Sequence, residues 1–335
     1  MSVAKFILDT SQGLIDKLPD QLQRIILLPS IRKGLAVLAA LQFLRSFNSY
    51  LSRGAQNNWV RLAPWDPSKE LVVLTGGCSG IGKQILADLT NLKVKVIILD
   101  VKEPTFALPA NATFYQADIT SSSILKEVAG KIRKEHGNPT ILINNAGVAD
   151  GGTILEKSEE SIRLTMDVNL LSHFWTVREF LPSMIQKDHG HIITIASATS
   201  FITIGQIADY TCSKAAAVAF HEGLTQELKY WYKSKKIRTS IVHPFWVRTP
   251  MIDDMIKAGH KFGEPIMSTE EVSSAIVKQI TSQNGGQLIV PNSHAHITLL
   301  RALPCWIQER VRDGASKNFV RLRELQDQMK TENRL

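Results

Sequence analysis

Cysteine is scarce in this chain of 335 residues: Cys78, Cys212 and Cys305 form an odd set with no paired spacing. That excludes a disulfide framework and the ligand spacing of a zinc site, leaves no candidate metal ligands, and fits a reducing compartment. Long apolar runs are missing as well. Gly34–Leu44 has eleven residues, about 16 Å as a helix and roughly half of the ~30 Å needed to cross a bilayer, so it is too short to span alone. It starts late and no small-residue cleavage site follows, so a cleaved secretion signal is not expected. No internal repeat or low-complexity tract interrupts the chain, which sets aside solenoid and disordered classes.

What is present in excess is positive charge, a formal +8. Nucleic-acid binding would need a basic face with interleaved aromatics or a reader motif, and neither is found. Much of the excess lies near the ends instead. Arg24, Arg32, Lys33, Arg45, Arg53 and Arg61 flank apolar stretches, and Arg310, Arg312, Lys317, Arg321 and Arg323 lie close to the C-terminus. Proximity to an anionic membrane surface accounts for that placement better than nucleic acid does.

From Glu70 onward, strand-like apolar runs alternate with helical periods. Strands are expected at 71–75, 94–100, 113–116, 140–143, 191–196, 238–242 and 287–290, with helices around 81–91, 121–136, 158–187, 209–234 and 269–283. Strands spaced by helices of this length predict an α/β fold with a doubly wound parallel sheet covered on both faces.

The first strand, Leu71–Thr75, runs into Gly76, Gly77, Gly80 and Gly82 before a helix begins. Such a turn lets backbone amides and a helix N-terminus approach a pyrophosphate. Gly77–Lys83 also resembles a Walker A loop, but the residue after the lysine is Gln84, where magnesium binding requires Ser or Thr. Asp100 ends the second strand about twenty residues further on, where a carboxylate can accept from adenosine ribose hydroxyls and repel a 2′-phosphate. NAD is therefore expected, with NADP kept open by the nearby Lys102.

Tyr210 and Lys214 are four residues apart, which puts them on one helix face with an ammonium beside a phenol. A neighbouring positive charge favours the phenolate and brings a group of pKa ~10 toward useful proton transfer. The order of the remaining features, Asn144-Asn145-Ala146-Gly147, then Asn169, then Ser197, then Tyr210 and Lys214, strengthens a catalytic reading that the pair alone would not carry.

With these residues the chain resembles the short-chain dehydrogenase/reductase family over roughly residues 68–293. The resemblance implies one Rossmann-type domain with a seven-stranded sheet, a homodimer or tetramer, and hydride exchange between a nicotinamide and an alcohol or carbonyl. It makes Tyr210 the general acid/base and gives Ser197 the role of orienting the substrate oxygen. Lys214 would lower the tyrosine pKa and bind the nicotinamide ribose, and Asn169 would hold a water linking the lysine to solvent. It assigns Thr75, Gly76, Ser79, Gly80, Ile81, Gly82, Asn145, Ala146, Gly147 and Thr249 to the cofactor. Asp118 matches an adenine contact, with a helix N-cap as the other reading. Phe245 departs from the family, which commonly has glycine after the proline, and His243 reads as structural because no proton-transfer task is left for it.

The substrate pocket is expected between Phe201–Ile204 and the segment holding Met251, Ile252, Met255, Ile256, Phe262, Ile266 and Met267, an apolar lining suited to a lipophilic substrate. Residues 1–60 lie outside the sheet. Leu14, Leu18, Leu22, Ile25 and Ile26 make an amphipathic stripe after which Pro29, Arg32 and Lys33 interrupt, so a re-entrant hairpin or an interfacial helix anchors the chain, or the stripe packs on protein. Residues 294–335 carry a second stripe of Leu299, Leu300, Leu303, Trp306, Ile307 and Val311, a further membrane contact or a cap on the pocket. This layout resembles the membrane- and lipid-droplet-associated branch with hydroxysteroid and retinol dehydrogenases. It implies endoplasmic reticulum or lipid droplets, with the catalytic domain in the cytosol. Two other functions stay open: a membrane-bound scaffold that binds nucleotide without turnover, and an NADPH-dependent reductase of keto-lipids.

Overall fold

A computed structural model describes residues 19–258 and 264–332. Seven strands form a single parallel sheet: β1 (Leu71–Thr75), β2 (Lys95–Asp100), β3 (Ala112–Gln116), β4 (Ile141–Asn144), β5 (His191–Ile195), β6 (Arg238–Pro244) and β7 (Gly286–Val290), in the order β3-β2-β1-β4-β5-β6-β7. The central strands are buried on both sides, which explains why they read as continuous apolar runs. Alternate residues feed two cores. Val73, Ile97, Leu99, Leu142 and Ile192 meet the helices Ser122–His136, Ser172–Lys187 and Ala208–Tyr230 on one face. Val72, Leu74, Ile98, Ile143 and Ile193 meet Gly80–Asn91 and Thr269–Thr281 on the other.

The order of strands reverses between β1 and β4, and a crevice for a ligand opens there at the carboxyl ends of the strands. The stretch read as one helix over 158–187 is two, Glu159–Met166 and Ser172–Lys187, joined by a π-helical turn at Asp167–Leu171.

Contacts divide the chain between Ala55 and Gln56. On the N-terminal side, Pro19 caps the helix Asp20–Leu27 and Leu28 leaves helical geometry. Pro29 then opens a continuous helix, Pro29–Gln56, so Arg32 and Lys33 lie in its first two turns rather than interrupting it, and Gly34–Leu44 continues it. None of this helix is buried, and Val37, Leu38, Phe43 and Leu44 are all exposed. Among the described residues no helix is long and apolar enough to cross a membrane. Leu14 and Leu18 lie outside the described residues.

On the other side, Asn57–Val60 is bound to the sheet. The buried Arg238 guanidinium donates to the carbonyls of Asn57 (2.9 Å), Val60 (2.6 Å), Lys235 and Gln283, and Asn57 Oδ1 accepts from Gly285 N. The C-terminal stretch consists of a long 3-10 segment, Asn292–Ala302, and the helix Cys305–Glu332.

Candidate active site

Two side chains set the cofactor turn. Thr75 Oγ1 at the end of β1 accepts from the amides of Asn145 and Ala146, both at 3.0 Å. Asn145 Nδ2 returns two bonds, to the carbonyls of Thr75 (3.0 Å) and Gly76 (2.9 Å). Gly76 has a positive φ of 68°, and a Cβ on Gly82 would lie 2.0 Å from the Gly76 oxygen. Only glycine fits, because the turn folds back onto the helix that follows it. That helix, Gly80–Asn91, begins at Ser79 without a side-chain cap, so its first amides face the crevice unpaired by a side chain. Ile81 packs partly into the core below. Thr249, about 170 residues later in the chain, rests against Gly80, with its Cγ2 3.1 Å from where a Cβ would stand.

Asp100 is held at the end of β2 by its own neighbours: Oδ2 accepts from Cys78 N (3.0 Å) and Oδ1 from Lys102 N (3.1 Å). Burial and the Asp100 charge push the Cys78 thiol up to about 12, so it stays protonated. Asp118 does not cap a helix. Its Oδ1 accepts from Thr120 N (2.9 Å) and Thr120 Oγ1 (2.7 Å), and Ser121 is the N-cap of Ser122–His136. Ala117 N bonds Asp100 O, which brings both acids to one edge of the sheet.

The residues expected to transfer the proton follow. Ser197 follows β5, and its hydroxyl accepts from Thr199 N (3.2 Å). The Ser197 side chain lies near enough to the Tyr210 phenol to favour its ionised form. Lys214, 3% exposed, donates from Nζ to Ile195 O at 2.8 Å, and its Nζ stands 5.7 Å from the centre of the Tyr210 ring. Burial pushes the Tyr210 phenol above its usual range, and Ser197 pulls it back. The lysine does not outweigh burial here; burial also lowers Lys214, to about 8.

Asn169 is fully buried in the π-helical turn. Its amide pairs with Val148 like a strand partner, Val148 N to Oδ1 and Nδ2 to Val148 O, each 2.9 Å, and Nδ2 also reaches Ser213 Oγ at 3.1 Å. Both amide hydrogens are committed to protein, so a water at Asn169 would have to be held by an oxygen. Gly147 fills the gap between them, facing Asn169 Oδ1 and Lys214 Nζ. His243 Nδ1 lies 3.0 Å from the Ser197 carbonyl; a carbonyl only accepts, so Nδ1 carries the hydrogen. Burial lowers His243 to about 4, and the neutral ring fixes the backbone of Ser197. Phe245 joins the core and stacks against His294 at 4.8 Å, and its amide bonds Val290 O, which shows how the loop accommodates a bulky residue.

The expected pocket lining divides. Ile204 joins Ile207 in a buried cluster against which Tyr210, Met255 and Trp246 pack, and Met255 and Ile266 both pack against Leu322. Met267 belongs to the main core, Ile252 is buried and Met251 exposed, so these do not share one face, and Phe201 packs on His243. Ile256 is half-buried, and Phe262 lies outside the described residues. Among the described residues no group of His, Cys, Asp or Glu is gathered for a metal.

The model of the family described as short chain dehydrogenase matches residues 70–258. The chain belongs to that family. Dehydrogenase RED2 of Cochliobolus heterostrophus is 45% identical over 211 residues, 62% of this chain and 79% of that protein. Estradiol 17-beta-dehydrogenase 11 of Pongo abelii is 33% identical over 70% of this chain and 79% of its own length. The ligand-free aldohexose dehydrogenase of Thermoplasma acidophilum shares the fold, with a TM-score of 0.59 at 24% identity over 66% of this chain and 92% of that one. This short-chain dehydrogenase is therefore an oxidoreductase that transfers hydride to or from a nicotinamide dinucleotide. The open glycine cradle, the uncapped helix start and the paired Thr75 and Asn145 fit such a cofactor, which would supply the hydride while Tyr210 and Ser197 handle the proton.

Proposed function

We propose that this dehydrogenase interconverts a lipophilic alcohol and its carbonyl compound, of steroid, retinoid or long-chain lipid type, using NAD at a membrane surface. The observation that carries the substrate class is the apolar cluster of Ile204, Ile207 and Phe319, against which Tyr210, Trp246 and Met255 all pack. A substrate oxygen must come within about 2.6–3.2 Å of the phenol, so the carbon skeleton meets these side chains. The relative named estradiol 17-beta-dehydrogenase 11 supports the same class. NAD over NADP rests on Asp100, whose carboxylate is anchored by two backbone amides where a 2′-phosphate would have to fit.

Attachment by residues 1–60 is supported by the unburied helix Pro29–Gln56 with its exposed leucines and phenylalanines. Endoplasmic reticulum or lipid droplets, a cytosolic catalytic domain and a homodimer follow from the family resemblance and belong to this proposal. The test is a titration of both cofactors followed by NADH fluorescence with a panel of lipid and small polar alcohols. Turnover confined to polar alcohols refutes the substrate class, tighter binding of NADPH refutes the role of Asp100, and cofactor binding without any turnover points to a scaffold.

A further inference from the structure

Along the helix Cys305–Glu332, Ile307, Val311, Ala315, Phe319 and Leu322 recur at the spacing of one helical face. Val311 at the start of this stripe is exposed, whereas Phe319 and Leu322 are 6% and 4% exposed. What buries them is the catalytic centre. Phe319 shares a buried cluster with Ile204 and Ile207, against which Tyr210, Trp246 and Met255 pack, and its ring lies 5.7 Å from that of Trp246. Leu322 packs against Trp246, Met255 and Ile266. The family match ends at residue 258, so this helix lies outside what the family model covers.

We propose that Phe319 and Leu322 form a specificity-determining wall of the substrate site, closing it on the side opposite β5. The proposal rests on the lipophilic-substrate reading. Because the substrate oxygen must sit at the Tyr210 hydroxyl, a skeleton of more than a few carbons reaches the apolar cluster against which Tyr210 packs and the side chains beside it. Two of them, Ile204 and Ile207, come from the segment after Ser197, and Trp246 and Met255 come from the segment after β6. Phe319 and Leu322 supply the remaining side, and their volume sets how broad a skeleton fits.

The wall is held by polar contacts at its edges. Arg323 makes a bidentate pair with Glu156, Nη1 to Oε2 at 2.8 Å and Nη2 to Oε1 at 2.6 Å. Glu156 in turn accepts from Thr153 N and Oγ1, and these bonds with Arg323 hold its carboxyl well below the usual range. Asn318 donates to Glu264 (3.0 Å), and Ser316 Oγ accepts from Gly205 N (3.4 Å). The pair is partly solvated, with side chains 41% and 45% exposed, so it aligns the helix without sealing it against substrate entry.

The test uses the full chain and compares kcat/KM with NAD for two secondary alcohols of similar carbon number, one linear and one polycyclic. Phe319→Ala and Leu322→Ala are each expected to raise the polycyclic-to-linear ratio at least tenfold, the discrimination that small changes of apolar volume produce, with Phe319→Leu in between. NADH affinity, read by fluorescence, should stay within about twofold, since the cofactor turn lies on other elements. An unchanged ratio in variants that still bind NADH overturns the wall. If Phe319→Ala fails to bind NADH, Leu322→Ala and Phe319→Leu decide by the same ratio. Absence of turnover of both alcohols by the unaltered chain removes the lipophilic-substrate reading, and the wall falls with it.

Discussion

Gly82→Ala isolates the cofactor turn from the chemistry it serves. The added methyl would stand 2.0 Å from Gly76 O and 2.6 Å from Asn145 Nδ2. Both are atoms of one hydrogen bond, 2.9 Å long, that ties the turn to the end of β4. Backbone cannot retreat by more than an ångström without losing that bond and the paired one to Thr75 O. Overpacking costs about 1–3 kcal/mol, and each of the two broken bonds adds about 1 kcal/mol, so a loss of roughly 3–5 kcal/mol is expected. At about 2–4 °C per kcal/mol, thermal unfolding should begin ~6–20 °C lower, and NADH affinity should fall by at least ~10-fold, because the displaced turn is the surface that faces the pyrophosphate. Gly130→Ala is the control. Gly130 lies in the helix Ser122–His136 with nothing within 4 Å of a Cβ, so alanine there should stabilise by up to about 1 kcal/mol. Unchanged unfolding and NADH binding in Gly82→Ala would refute the close approach on which the cofactor site depends.

Tyr210→Phe is expected to lower turnover at least ~100-fold with NADH affinity preserved, and stopped-flow single turnovers check it; Lys214→Ala should weaken cofactor binding as well. Burial lowers His173 and His191 to about 3 and His221 and His243 to about 4. The unfolded chain binds protons at these sites below pH ~6.5 and the folded chain does not, so stability is present above that pH and falls as pH drops toward 4, by several kcal/mol per unit, with His189 beside Glu70, which is raised, opposing weakly. Urea midpoints measured from pH 7 to 5 that stay flat would contradict this. Membrane-bound full-length protein should resist high salt and be released by detergent, since apolar burial and not charge holds an interfacial helix; recovery in the soluble fraction without detergent would return the helix to a packing role.

The seven strands were legible because each is an apolar run bounded by a turn or a helix, and their limits moved by no more than two residues. Asn169, Ser197, Tyr210 and Lys214 stood out by order and spacing as candidates for catalysis, and the fold brings Ser197, Tyr210 and Lys214 together. What was not legible depends on contacts distant in sequence. Arg238 reads as an ordinary strand residue until its four carbonyl partners are seen. Phe319 and Leu322 carried a visible signal, the continuation of the Ile307 and Val311 stripe, but helical spacing does not say which protein surface a stripe will meet. The π-helical turn left no trace, because apolar residues spaced for one helix fit equally well two helices in line.

That turn has a consequence for how the enzyme tolerates deletion. A stretch closed by bonds five residues apart holds one residue more than a regular helix over the same length. Losing any single residue between Asp167 and Leu171 would let the two flanking helices fuse into one regular helix. Positions outside the turn would keep their faces, but Asp167–Leu171 would be redrawn as regular helix and Asn169 would lose its contact with Val148. A one-codon loss at this place should therefore leave the sheet and its core standing while erasing the polar joint between β4 and the catalytic helix, an enzyme that folds, binds its cofactor and has lost its alignment.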